Sequence, residues 1–309
     1  MKNFLISQRI LILVIIMYLT LGAYRNSFLS ISNVHGLFKQ IALNGIMATG
    51  MTILFIAGWF DLSVGSVMSF TGIVVILLQP YGIFVSVSAG LMAGLLIGLL
   101  NGLLVVKGNI NVFIATMGSM VIFKGFGLGL TNSRPVKGTI PAFEQLGQGS
   151  IFGLDNQVLI MVIFFVLVWY LLKYTVFGRN SYAIGGNFTS AAIAGINVKA
   201  YAISYFVFSA LSATVAGILL ASQANGASAL YGTGIEIWIM VAVIIGGTSL
   251  GGGKGGVMGS LYGTLMLGLI ERAMIVLNVD ANYQSLLKGI IIMTVVVADA
   301  FISNREKNK

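Results

Sequence analysis

The sequence predicts an all-α integral membrane protein of about ten transmembrane helices. Two observations carry that expectation. Only 8% of the 309 residues are charged and 58% are hydrophobic, whereas a soluble protein needs about 25% charged residues to solvate its surface. The hydrophobic residues also fall into runs of about 20, the length a helix needs to cross the hydrocarbon core of a bilayer.

The runs occupy 4–24, 41–59, 62–78, 82–106, 112–130, 157–175, 199–221, 234–251, 256–278 and 283–302. The first begins with basic residues and continues through Ile10–Tyr24, which resembles a signal peptide. No small-x-small cleavage motif follows, so it reads as an uncleaved span. The second and third runs abut at Trp59-Phe60-Asp61. Asp61 or Ser63 can cap the following helix there; alternatively the pair is a broken helix lining a cavity. The chain has 40 glycines, and Gly94/Gly98/Gly102 and Gly255/Gly259/Gly263 stand four apart. Each series predicts a ridge where helix backbones approach closely. The whole chain, 1–309, reads as one transmembrane domain.

Composition also excludes classes. Without Cys, disulfide, thiolate and Cys-ligated metal chemistry are absent. The net charge of +9 comes from singly scattered Lys and Arg rather than a patch, which argues against nucleic acid. Short basic loops stay on the cytoplasmic side. Placing both termini inside puts Lys2, Arg9, Lys107, Lys173, Arg179, Lys199, Lys254, Arg305, Lys307 and Lys309 there, against Arg25, Lys39, Arg134 and Lys137 outside. The stretch Gly246 to Gly255 superficially resembles a phosphate-binding loop, but Thr248 stands where the first glycine is required and Gly255 follows Lys254. It reads as a tight glycine turn. Neither an enzyme site, a metal nor a cofactor is expected in this chain.

The segment 177–198 carries the strongest functional signal. Asn187 or Thr189 can start a helix and Gly195 can stop it, leaving about two turns with a mostly Ala and Ser exposed side. So short a helix is marginal unless something packs on it. It reads either as an ordinary loop with one stray turn or as a docking element for a partner groove.

Gly178-Arg179, Tyr182-Ala183-Ile184-Gly185-Gly186-Asn187 and Ala191 to Gly195-Ile196 resemble the inner loop of permeases in the ribose/galactose-type ATP-binding-cassette importer family. Further blocks agree in order: Gly50-Met51-Thr52 with Asp61-Leu62-Ser63-Val64-Gly65-Ser66; Asn101-Gly102 with Phe113 to Met120, closed by Thr131 to Pro135; and Gly246 to Leu250 with Gly252 to Gly255. Family members often read Gly-Gly-Ile-Asp where this chain has Gly58-Trp59-Phe60-Asp61, and Glu-Leu-Asp-Ala-Ile-Ala where it has Ile235 to Met240. The resemblance implies a type II importer permease fold in the inner membrane. It implies a second permease subunit, identical or not, two cytoplasmic ATPase domains, an external solute-binding protein and a sugar cargo. The coupling residues would be Gly178, Arg179, Tyr182, Ala183, Gly185, Gly186, Asn187, Ala191, Ala192 and Gly195. Nucleosides or another ribose-bearing solute are the alternative cargo, and an ion-coupled transporter acting alone is the alternative class.

Polar residues inside spans are candidates for the path. Asn44, Trp59, Asn101, Thr116, Gln223 and Asn225 can line it, although each of the polar ones can equally bond helix to helix and Trp59 can anchor at the interface. Glu271 is placed to neutralise Lys124 or Lys288.

Overall fold

The computed structural model describes the backbone of residues 2–307 and the side chains of residues 10–297 other than 27, 281 and 296. The basic residues Lys2, Arg9, Arg305, Lys307 and Lys309 have side chains outside this set. The helices are α1 (Lys2–Tyr24), α2 (Ile31–Ile56), α3 (Val64–Leu78), α4 (Ile83–Val106), α5 (Val112–Leu130), α6 (Glu144–Gln148), α7 (Asn156–Tyr174), α8 (Val176–Gly186), α9 (Phe188–Ile193), α10 (Val198–Ala224), α11 (Ile235–Ile245), α12 (Val257–Val276) and α13 (Ala281–Lys307).

Among the described residues, seven helical stretches have the length and hydropathy to cross a membrane, not ten. They are α2, α3 with the short turn to Tyr81, α4, α5, α7, α10 and α12. Two further apolar stretches, Ile10–Tyr24 and α11, are shorter. The expected run 234–251 is cut because α11 ends at Ile245 and the glycine turn follows. The run 283–302 lies within α13 and extends beyond the described side chains.

Three helix starts are set by small polar caps. Ser30 accepts from Asn33 N at the start of α2, Asn111 from Phe113 N at α5, and Asn197 from Ala200 N at α10. At the far end of α10, Asn225 takes the left-handed conformation (φ 41°), the usual way an asparagine stops a helix.

Helix α10 is the centre of the bundle and packs on α2, α3 and α4. The first glycine ridge makes this possible. A Cβ at Gly98 would lie 2.7 Å from the Val207 Cα, and one at Gly102 would lie 2.9 Å from the Ile203 Cα. Small residues therefore let α4 and α10 touch backbone to backbone, which supplies the dispersion contacts that lipid cannot. In the second series only Gly259 and Gly263 lie on α12, where each faces a carbonyl of the preceding segment, Gly246 or Ala242. Gly255 precedes the helix with φ 128°, so it belongs to the turn.

The link between α2 and α3 is buried rather than superficial: Asp61 and Ser63 are fully enclosed. Asp61 Oδ1 accepts from the Ser63 amide at 2.8 Å and the Ser63 hydroxyl at 2.6 Å, so Asp61 fixes the turn before α3, whose N-cap position is Ser63 without a side-chain cap bond. Glu271 pairs with Lys288 at 2.6 Å and also accepts from Gln40 at 3.2 Å.

The segment between α5 and α7 folds back onto the end of α10. Strand β1 (Val136–Lys137) pairs antiparallel with β4 (Gly226–Ala227), with Val136 opposite Ala227, while β2 (Ser150–Ile151) and β3 (Leu154–Asp155) form a small hairpin. The Ser222 hydroxyl donates to Phe143 O at 2.6 Å and accepts from Gly147 N at 2.7 Å. Gln79 Oε1 accepts from Thr139 N and Ile140 N at 2.6 and 3.1 Å.

Candidate functional site

Two features stand out, one at an end of the bundle and one within it. At the end, the chain leaves α7 at Thr175 and doubles back as α8. Gly178 permits the fold, because a Cβ there would overlap the Leu172 carbonyl. The stretch read from sequence as a loop is thus helical from Val176 to Gly186. Tertiary packing overrides the weak helix propensity of its three glycines. Gly185 presses on the backbone of Ile56 and Gly253, and Gly253 N donates to Ile56 O at 2.8 Å. The Tyr182 hydroxyl donates to Gly255 O at 2.9 Å, and burial pushes its phenol up, so it stays a donor. Asn180 donates to the Tyr201 hydroxyl at 2.8 Å.

Asn187 then opens α9 by accepting from Ser190 N at 2.8 Å, as the capping pattern predicts. Gly195, with φ 84°, closes it. The helix has one buried contact, Ala191, and an outer face formed by Ala192 and Ile193, the latter 82% exposed. The expected residues therefore divide. Gly178 and Ala191 are buried, and Tyr182 and Gly185 are half-buried with contacts to Gly255, Ile56 and Gly253. Arg179, Ala183, Gly186, Asn187, Ala192 and Gly195 are exposed or partly exposed. Phe188 and Ile193, which sequence reasoning missed, give the exposed surface an apolar character that an Ala and Ser face would lack.

Trp59 belongs to this end as well. Its ring meets Phe188 edge-on at 6.4 Å between centroids and lies 6.1 Å from the Tyr205 ring. It joins α9 to the end of α2 and is not among the residues that line the cavity described next.

Within the bundle, a cavity of about 260 Å³ is lined by Gln40, Asn44 and Tyr231 among Leu43, Met68 and Leu220. Asn44 lies about 18 Å along the α2 axis from Ile56, close to the midpoint of that bilayer-length helix. Helix α11 starts beside this cavity at Ile235, after a non-helical stretch whose Gly232 N donates to Ser69 Oγ at 2.8 Å. Non-helical backbone at this depth is tolerated only inside protein or along a water-filled cavity. Glu236, 8% exposed, lies behind Gly65 near the mouth of α11. The departure from the common sequence at 235–240 therefore falls next to the cavity.

Of the six expected path residues, only Asn44 lines this cavity. Asn101 is fully buried and donates to Ser63 Oγ at 2.9 Å. Thr116 donates to Val112 O within its own helix. Gln223 accepts from Gln157 at 2.9 Å and so ties α10 to α7, while Asn225 donates to Glu144 Oε1 at 2.6 Å and so ties the β1–β2 segment to the end of α10. Thr116 and Gln223 thus bond within the protein, whereas Asn101 Oδ1 and Asn225 Oδ1 are buried without a hydrogen-bond partner among the described residues. Gln40 and Tyr231 were missed because nothing local marks them. The available signal was Gly232-Thr233-Gly234 ahead of an apolar run, the mark of an interrupted helix.

Seven bilayer-length helices, with a half-open cavity and non-helical backbone among them, fit a multi-pass membrane protein. Residues 33–296 match the family described as branched-chain amino acid transport system / permease component, and the chain belongs to that family. The ribose import permease protein RbsC of Haemophilus influenzae is 34% identical over 98% of this chain and 96% of its own length. The ribose import permease protein RbsC of Escherichia coli K12 is 35% identical over 96% and 95% respectively. The L-arabinose ABC transporter permease protein AraH of Azospirillum brasilense is 32% identical over 96% of this chain and 88% of its own.

Proposed function

We propose that this chain is the translocation subunit of an ATP-binding-cassette importer that moves a simple sugar inward by alternating access. ATP is hydrolysed by separate partner chains. The observation that carries the reading is mechanical: α2 connects the two features. Its inner end abuts Gly185 and, through Trp59, Phe188 of α9, and its midpoint carries Asn44 into the cavity. A load applied at α9 by a closing ATPase pair is thereby delivered along one rigid helix to the passage. The sugar names of the full-length relatives agree with the cavity chemistry. A neutral polyol needs paired donors and acceptors rather than net charge, and Gln40, Asn44 and Tyr231 supply them. An external solute-binding protein and a second permease subunit, forming a two-fold pair, complete the assembly.

We place both termini in the cytoplasm of the inner membrane. In support, the end of the bundle with α8 and α9 collects Lys107, Lys173, Arg179, Lys199 and Lys254, whereas Arg25, Lys39, Arg134 and Lys137 are at the other. The chain has no native Cys, so a single cysteine reports orientation directly. Ser150→Cys on the exposed hairpin is expected to react with an impermeant maleimide on intact cells, and Thr189→Cys only after permeabilisation. The reverse pattern would overturn the orientation and the role of α9.

The cavity is tested by Asn44→Leu and Tyr231→Phe. Each removes a group that bonds the passing solute, leaving its partner unmatched at about 1–3 kcal/mol, so uptake of ribose or arabinose is expected to fall about tenfold or more. Co-purification of the ATPase should be unchanged. Uptake at the wild-type rate in both variants would remove this cavity from the path.

A further inference from the structure

A second cleft lies apart from the cavity lined by Asn44. It is a space of about 340 Å³ at the α8–α9 end, between α7, α8 and the start of α12, lined by Trp169, Lys173, Tyr182, Gly247 and Met258 among others. We propose that it binds one phospholipid with an anionic headgroup, the phosphate resting at Lys173 and an acyl chain lying along α7.

Three observations lead there. Lys173 forms no ion pair among the described residues. Its ammonium is instead held 5.0 Å from the Trp169 ring centroid and 5.1 Å from that of Tyr174. A cation fixed over aromatic faces keeps its charge available to an anion on its open side. Second, Val162, Val166, Trp169 and Lys173 recur at intervals of four, three and four, so they form one stripe along α7, and its apolar members are 48%, 57% and 37% exposed. That stripe is apolar through the depth of the core, aromatic at the interface level and cationic at the end, which is the polarity profile of a phospholipid read from tail to head. Third, the cleft opens where the stripe ends, and its far wall is the glycine turn that leaves room for a headgroup. Basic pockets at helix ends on the cytoplasmic side are where anionic headgroups are recognised. Because Tyr182 bonds Gly255 across the wall of this cleft, an occupying headgroup braces α8 against the glycine turn.

The test does not depend on the transport reading. The purified chain is incubated in detergent with an equimolar mixture of phosphatidylglycerol and phosphatidylcholine, and retained lipid is counted by native mass spectrometry. Wild type is expected to retain one phosphatidylglycerol with about fivefold preference. Lys173→Gln should abolish the preference. Met258→Trp, which fills the cleft and keeps the charge, should reduce retention of either lipid, and Lys107→Gln, an exposed lysine elsewhere at the same end, should change nothing. Retained preference in Lys173→Gln, or an equal loss in Lys107→Gln, would overturn the site. Unchanged retention in Met258→Trp would place the lipid outside the cleft. Added inorganic phosphate should not compete; displacement by it would make this a free-phosphate site instead.

Discussion

Ala192→Arg is expected to abolish sugar uptake, by at least about a hundredfold, while the protein still inserts and accumulates. Ala192 is exposed on the outer face of α9, beside Ile193. In the free chain a guanidinium there extends into water, and exposed substitutions change stability by less than about 0.5 kcal/mol. In a partner groove shaped for methyl groups, the same side chain is a steric and desolvation penalty of several kcal/mol. The measurement is uptake together with co-purification of the ATPase. If both persist, α9 is not the docking element. Ala191→Arg is the companion control: Ala191 is buried, so that variant should instead fail to accumulate.

The second large effect separates two adjacent glycines. A Cβ at Gly185 would overlap the Ile56 carbonyl and sit 2.5 Å from Gly253 N, whereas at Gly186 nothing lies within 4 Å. Both obstacles at Gly185 are backbone, so no side chain can rotate away. Gly185→Ala should cost about 3 kcal/mol or more, seen as aggregation on mild heating in detergent. Gly186→Ala should behave as wild type within about 0.5 kcal/mol. Equal behaviour of the two would mean that α8 does not rest on α2 as described.

Elements written in local sequence were legible. The bilayer-length runs, the Asn187 cap, the Gly94–Gly98–Gly102 ridge and the Glu271–Lys288 pair each depend on neighbours in one helix or on a charge that must be neutralised. The lining of the cavity was legible only at Asn44. Gln40, Asn44 and Tyr231 meet only because α2 and the stretch before α11 approach each other, a fact of tertiary packing. Asn101, Gln223 and Asn225 look the same in sequence as Asn44, since an amide that lines a cavity and one that bonds another helix obey the same chemistry. Helix α8 was hidden for the opposite reason: glycine lowers local helix propensity, yet close backbone contact with Ile56 and Gly253 requires glycine.

The β1–β2 segment, a lid fastened over the end of α10, carries a consequence for biogenesis. Phe143 O and Gly147 N find their partner in Ser222, and Val136 pairs with Ala227, all residues that leave the ribosome much later. Until α10 is synthesised and inserted, the lid has no surface to close on and its amides are held by water alone. This face of the molecule therefore matures late. A nascent chain arrested before Ser222 should present residues 136–149 to protease on that side of the membrane, and a chain arrested well beyond Ala227 should protect them.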